Sequence, residues 1–488
     1  MATLETLNFD NSYTRLPEHF YQRVRPTPLK NPFLIAFNSD VAELLDLDPC
    51  AISPSDLADY LAGQKSFPGS EPIAMKYTGH QFGVYNPDLG DGRGLLLGEI
   101  KSKNNQRWDL HLKGAGKTAY SRFADGRAVL RSSIREYLIS EAMHGLGIPT
   151  TRAMALVGSE ELAMRNGMME PCAAVLRVTQ CHIRFGHFEF FYYTKQHKDL
   201  KRLADYCLVR YFPKLLNTDK PYLAMYKEVI KRSAELVAKW QAYGFIHAVL
   251  NTDNMSLIGE TFDYGPYSFM DNYKPEMISN QNDHQGRYAF SKQPEIVHWN
   301  LSALGQALLP LIDKEELVSA LDAFSDQFQS AEIGELRKRL GLQAELSEDS
   351  ALIEQLMILF SRQAVDMNRF FRLLSNYDGS ERARGVLATL VSNPSELYEW
   401  LNNYDVRLKR EAASQPIRTA QMNSVNPEYI LRNYMAEEAI REAEKGDFLL
   451  INDLVSLLRK PNVSDEKYRH YAESPPAWAG SICLTCSS

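Results

Sequence analysis

Two strand-like runs, "LLLGEI" (Leu95 to Ile100) and "RWDLHLK" (Arg107 to Lys113), flank the polar turn "KSKNNQ". Runs of this kind joined by a short polar turn pair as an antiparallel hairpin. This hairpin ends on a lysine, and the glycine-rich stretch "LGDGRG" (Leu89 to Gly94) leads into it. From Arg127 to about His144 the period changes: Leu130, Ile134, Leu138 and Ala142 recur every four residues, the pattern of an amphipathic helix, which "GLGIP" stops. At ~100° per residue Glu136 stands roughly 200° from Ile134, off the apolar stripe, where it is available to a neighbouring lysine. A hairpin, a helix packed near its end and a mostly helical chain beyond Asn300 set the fold class as α+β.

The first 70 or so residues mix short helical and irregular segments, with "RVRPTPLKNP" extended and fixed by proline. Residues 153 to 193 alternate apolar and polar residues and end in "FGHFEFFYY", which opens either a strand or the next lobe. Tyr222 to Tyr243 is a helix, followed by the loop that holds His247 and by a tight hairpin, "MSLIGETFDYG", about Gly259. A late helix has Asn426 as N-cap, Pro427 in its first turn and Gly446 as its stop. Three regions follow: 1–175, an N-terminal extension and a lobe with the glycine-rich turn, Lys113 and Glu136; 176–400, a lobe with the loop after His247; and 401–488, a helical region with a cysteine-containing tail.

Charged residues at 24%, hydrophobic residues at 44% and a mean hydropathy of -0.33 describe an ordinary globular chain. The net charge of -7 opposes a surface built for nucleic-acid phosphates. No apolar run reaches the length of a membrane span, and the N-terminus lacks the basic and apolar segments of a signal peptide, so a cytoplasmic location with no membrane partner is expected. Six cysteines are too few for a disulfide framework. Cys483 and Cys486 form a lone C-x-x-C, which lacks the four ligands of a structural zinc site.

The residues with chemistry occur in an order that matches the protein-kinase pattern. The glycine-rich turn comes first, then Lys113 at a strand end, Glu136 on a helix, Asn254 in "IHAVLNTDN" and Asp263 in "FDYG". Lysine neutralises phosphate oxygens and is held by the glutamate, while Asn254 and Asp263 offer hard oxygen ligands to Mg²⁺. The stretch "GAGKT" is not a P-loop, because His111 occupies the position of the first glycine. Val249 stands where a kinase has its catalytic aspartate, and a valine accepts no proton. Asp253 is the nearest replacement base. Arg177 and Arg184 carry guanidinium forks suited to phosphate oxygens.

"LGDGRG", "WDLHLKGAGKTAYSRFADGRAVLRSSIREYL", "HIRFGHFE", "LNTDNMS" and "DYGPY" resemble the SelO (YdiU-like) protein nucleotidyltransferases over nearly the whole chain. The resemblance implies a protein-kinase-like two-lobed fold with a helical C-terminal extension. It implies ATP bound in an inverted orientation and AMP transferred to Ser, Thr or Tyr hydroxyls of proteins, self-modification included, with UMP from UTP as the other nucleotide assigned to the group. Lys113, Arg177 and Arg184 would hold the phosphates, with Gly90, Gly92, Arg93, Asp125 and Gly126 completing the nucleotide site. Asp253 would be the proton acceptor, Asn254 and Asp263 the ligands of Mg²⁺ or Mn²⁺, and Glu136 the partner of Lys113. Val249 is then the expected residue, and Ala248 stands where glycine is expected. A tail cysteine matching Cys486 is also a family trait; a Cys483–Cys486 pair, or no disulfide, fits better than a bond to the segment after Asp263, which has no cysteine. The rivals are an atypical kinase that transfers the γ-phosphate and a non-catalytic ATP-binding scaffold.

Overall fold

The computed structural model describes residues 2–165 and 167–485. Ten strands lie in the first part of the chain: β1 (Tyr21–Arg23), β2 (Phe33–Phe37), β3 (Ile73–Met75), β4 (Gly79–Gln81), β5 (Val84–Asn86), β6 (Gly94–Lys101), β7 (Arg107–Lys113), β8 (Ala128–Val129), β9 (Arg152–Arg165) and β10 (Met168–Thr179). Eight of them make one sheet in the order β1-β3-β6-β7-β10-β9-β2, with β8 on β10. The expected hairpin is β6 and β7, antiparallel with Gly94 opposite Lys113 and Lys101 opposite Arg107. Strand β10 runs beyond residue 175 to Thr179 and places Arg177 opposite His111.

The period of two in β7 decides what each face of the sheet carries. Leu110 and Leu112 enter an apolar cluster with Val41, Leu57 and Leu61 from the short helices α1 (Ser39–Leu44) and α2 (Pro54–Leu61). Asp109, His111 and Lys113 take the other face, and all three are buried. Against that side of the sheet lies α3 (Leu130–Gly145). Its apolar stripe is where the spacing puts it, yet the helix is not amphipathic in its setting: every residue from Ser133 to Met143 is buried, Arg135, Glu136 and Glu141 included. The polar side that a sequence assigns to water faces other protein groups instead. Arg135 donates to the Tyr267 carbonyl at 2.8 Å, and Glu141 accepts two hydrogen bonds from Arg152.

Beyond β10 the chain turns helical: α4 (Phe185–Tyr193), α5 (His197–Tyr211), α6 (Pro221–Tyr243), α7 (Gln293–Leu308), α8 (Lys314–Asp322), α9 (Phe324–Arg339), α10 (Asp349–Gln363), α11 (Met367–Leu374), α12 (Glu381–Ala388), α13 (Pro394–Leu408), α14 (Gln415–Val425), α15 (Asn433–Ala443) and α16 (Leu449–Leu458). "FGHFEFFYY" is therefore helix α4, its apolar residues buried almost all round. Between α6 and α7 the strands β11 (Phe245–Ile246) and β12 (Ser268–Phe269) pair antiparallel and frame the loop after His247.

Two sequence expectations are corrected. The segment "MSLIGETFDYG" is no hairpin: Gly259 makes a tight turn at a φ of +76°, but Ser256 bridges to Arg184 and Thr261 to Thr150, so each flank pairs with an older part of the chain. The late helix begins at Asn433, and Asn426 follows the end of α14. The Asn426 amide is fully used in the core, donating to the Arg339 carbonyl at 2.9 Å and accepting from Arg339 Nε at 2.9 Å. Tertiary hydrogen bonds thus outcompete the local cap. Cys483 is exposed, and Cys486 lies outside the described residues. No helix among the described residues is long and apolar enough to cross a membrane.

Candidate active site

Lys113 at the end of β7, Glu136 on α3 and Arg177 on β10 form a buried chain in which Glu136 takes one cation on each carboxylate oxygen. Arg177 passes the chain on to Asp263, with Nη1 at 2.7 Å from Oδ1. Arg184, just before α4, takes the other Asp263 oxygen and donates to the Asp253 carbonyl at 2.6 Å. Its guanidinium lies between the rings of Tyr77 and Phe262, at 4.7 and 4.6 Å. Residues distant in the sequence therefore share one network of alternating charge.

Burial and neighbours tune each group. Burial pushes the Lys113 ammonium down to about 8, helped by Arg93 and Arg177 and opposed by Glu136. Burial alone raises the Glu136 carboxyl, but Arg177 and Lys113 outweigh it and hold the group down at about 2. Asp263 likewise stays well below the usual carboxylate range because Arg184 and Arg177 overcome its burial. Asp253 differs: burial pushes it up to about 7, and Arg184 offsets only part of that. One Asp253 oxygen accepts from Gln81 Nε2 at 3.2 Å, while Oδ1 is buried with no hydrogen-bond partner among the described residues.

The loop that carries Asp253 is shaped by its own backbone. His247 Nε2 is 3.1 Å from the Phe262 carbonyl, so the ring fastens the loop to the segment of Asp263, as a structural histidine does. Ala248 takes a φ of +68° and Asp263 one of +59°, both in the left-handed region that non-glycine residues seldom enter. Asn254 donates Nδ2 to the Val249 carbonyl at 2.9 Å, which leaves its amide oxygen as the unused acceptor. The donors available to a cation are thus hard oxygens from Asn254 and Asp263 beside the unpartnered Asp253 Oδ1. That set fits Mg²⁺ or Mn²⁺ completed by phosphate oxygens and water. Among the described residues no group of three or more His, Cys, Asp or Glu forms a self-contained metal site.

All of this opens into one cleft of about 360 Å³. Gly90, Gly92, Arg93, Lys113, Arg177, Arg184, Asp253, Asn254 and Asp263 line it, together with Val249. Glu136 stands behind Lys113. Asp125 and Gly126 are not among the lining residues: Arg165 grips the Asp125 carboxylate with bonds of 2.7 and 2.8 Å, and Ala124 and Arg122 present that loop to the cleft. The glycine-rich turn has a second role beside close approach of backbone to ligand. Gly90 has a φ of +136°, and a Cβ there would come within 2.5 Å of the Tyr120 ring, so the glycine lets the loop after Gly116 close on the turn. Thr118 Oγ1 secures that contact by donating to the Asp91 carbonyl at 2.6 Å.

Asp91, Tyr77, Gln81 and Tyr120 also line the cleft and were not singled out from sequence. Asp91 had a signal, as the one acid inside the glycine-rich turn. It accepts from the Met75 amide at 3.0 Å and stands 3.5 Å from His111. Tyr77, Gln81 and Tyr120 carried none, because only the tertiary fold brings their segments to this place.

The family model for "Protein adenylyltransferase SelO" matches residues 3–459. The chain belongs to the SelO family. It is 58% identical over 488 residues to the "Protein nucleotidyltransferase YdiU" of Hahella chejuensis, covering 100% of this chain and 99% of that one. Proteins of the same name from Photobacterium profundum and Azotobacter vinelandii are 46% and 47% identical, each over 100% of both chains. SelO proteins carry the name of protein nucleotidyltransferases, and membership makes this chain an enzyme of that class. The likeness extends over sheet, cleft and helical region alike.

Proposed function

We propose that the chain transfers AMP from ATP to Ser, Thr or Tyr hydroxyls of proteins and releases pyrophosphate, with UMP from UTP as the alternative nucleotide. The observation that carries this reading is the convergence of Lys113, Arg177 and Arg184 with Asp253, Asn254 and Asp263 in one cleft whose kinase-type base position is Val249. The proposed architecture is a protein-kinase-like pair of lobes, 1–175 and 176–400, with a helical extension, 401–488.

In this reading Lys113, Arg93, Arg177 and Arg184 bind the phosphates, and Gly90 and Gly92 let the backbone of the turn approach them. Asp125 and Gly126 shape the nucleotide site from the adjoining loop. Asn254 and Asp263 would hold a divalent cation, which when bound neutralises phosphate charge. Glu136 fixes Lys113 and Arg177 in place. Asp253 takes the proton of the attacking hydroxyl at its unpartnered Oδ1. The substrate's hydroxyl oxygen attacks the α-phosphorus, the bond to the oxygen bridging to the β-phosphorus breaks, and pyrophosphate leaves with the electron pair. Four cations around the leaving group favour departure of pyrophosphate over transfer of the terminal phosphate.

The test is intact and tryptic mass spectrometry after incubation with ATP and Mg²⁺, beside Asp263→Ala, and again with UTP and Mn²⁺. Added AMP or UMP on hydroxyl residues, absent from the variant, is the expected result. Added phosphate instead assigns γ-phosphate transfer and removes the reading. Redox control through Cys483 and Cys486 predicts that a reductant changes the yield.

A further inference from the structure

A second cavity, of about 620 Å³, lies at the opposite end of β7 and shares no lining residue with the cleft. Arg107 at the start of the strand lines one, and Lys113 at its end lines the other. The N-terminal segment contributes Arg15, β10 is followed by Gln180, and the last two turns of α5 add Tyr206, Arg210 and Tyr211. Three arginines line this cavity and no acidic residue does.

The acids that balance them stand behind the wall. Asp10 is shared by Arg15, at 2.8 Å, and Arg107. Glu99 is occupied by Ser12 Oγ at 2.5 Å and the Tyr13 amide at 2.7 Å, and Arg210 Nε reaches it only at 3.4 Å. Arg210 is the telling group. Its side chain is 10% exposed, it rests on the Tyr211 ring at 5.1 Å, and both of its carboxylate partners are distant, Glu99 Oε1 at 3.4 Å from Nε and Asp109 Oδ1 at 3.7 Å from Nη2. Two long ion pairs match its charge only loosely, and a ligand oxygen at the exposed edge of the guanidinium adds a charge-assisted bond.

We infer that this cavity is a binding site for a small phosphate-bearing molecule, gripped by Arg15, Arg107 and Arg210. Guanidinium groups set on different sides of one mouth match the several oxygens of a phosphate better than a single carboxylate, and the volume admits a metabolite as well as its phosphate. The carboxylates behind the wall hold the arginines in place without entering the site. The alternative is that the cluster only fastens the N-terminal segment to α5, in which case no ligand binds.

The experiment is calorimetric titration of the full chain with inorganic pyrophosphate, beside Arg93→Ala, which weakens the phosphate binding proposed for the cleft. A saturable site that survives Arg93→Ala is expected. Arg15→Ala, at a side chain 61% exposed, should keep the unfolding midpoint and weaken binding at least about tenfold, the effect of losing one charge-assisted bond. Arg210→Met should abolish binding; if it fails to fold, Arg15→Ala still decides. No saturable binding to the wild type, or equal binding by wild type and Arg15→Ala, overturns the inference.

Discussion

Asp263 has both carboxylate oxygens on arginines and a backbone in the left-handed region, a combination that neither neighbour in the sequence explains. Asp263→Ala removes a proposed metal ligand and frees Arg177 and Arg184, so transfer should fall to the background of a labelled-nucleotide assay. Asp253→Ala should leave measurable transfer, since reactions of this kind depend mainly on positioning and charge neutralisation. Equal loss in both variants contradicts that division. Glu136 is the more sensitive residue for stability. Glu136→Gln strands Lys113 and Arg177 as buried cations with one counter-charge fewer, and breaking such a pair costs about 3–5 kcal/mol. Denaturant unfolding of the two proteins checks this.

At the scale of elements, α3 is the member on which the others depend. It carries Glu136 to the cleft on one side and receives α15 and α16 on the other. Arg131 meets Glu437 at 2.7 Å, and Gly145 lies so close to the Leu458 carbonyl that an added methyl would overlap it. Gly145→Ala should therefore push α16 off α3 and lower stability by about 1–3 kcal/mol, the usual cost of overpacking, read as a fall in the thermal midpoint. At the glycine-rich turn, Gly90→Ala should weaken nucleotide affinity by driving Tyr120 off the turn. Restoration of part of that affinity in Gly90→Ala combined with Tyr120→Ala separates the steric cause from backbone strain at the φ of +136°.

At the scale of the whole molecule, one apolar cluster runs from Tyr13 and Phe20 through α3 and α6 to Leu458 and Ala479. The C-terminal helices complete that core, so a chain ending at residue 425 should fail to give soluble folded protein, whereas the full chain should fold. Acid should reach the fold through the cleft. Glu136 is held at about 2 against an ordinary value of 4.5, so its contribution to stability is complete above about pH 4.5 and is lost as pH falls toward 2. Asp263, also depressed, acts in the same direction. Unfolding free energy against pH should fall over that window, and less steeply in Glu136→Gln.

The α+β class, the β6–β7 hairpin, the α6 helix and part of the polar lining of the cleft, Lys113, Arg177, Arg184, Asp253, Asn254 and Asp263, were legible in the sequence, because local periodicity and motif order are properties of neighbours along the chain. The rest required partners distant in sequence. Periodicity marks an apolar stripe but cannot say that the polar face of α3 is buried against Arg152, Arg177 and the C-terminal helices. Asn426 looked like a cap because a cap needs only local groups, yet Arg339 offers it stronger partners. Gln81 on Asp253, Tyr77 on Arg184 and the arginines around the second cavity were decided only when the tertiary structure closed loops of the chain on one another, since no residue's neighbours in sequence specify which distant charge it will meet.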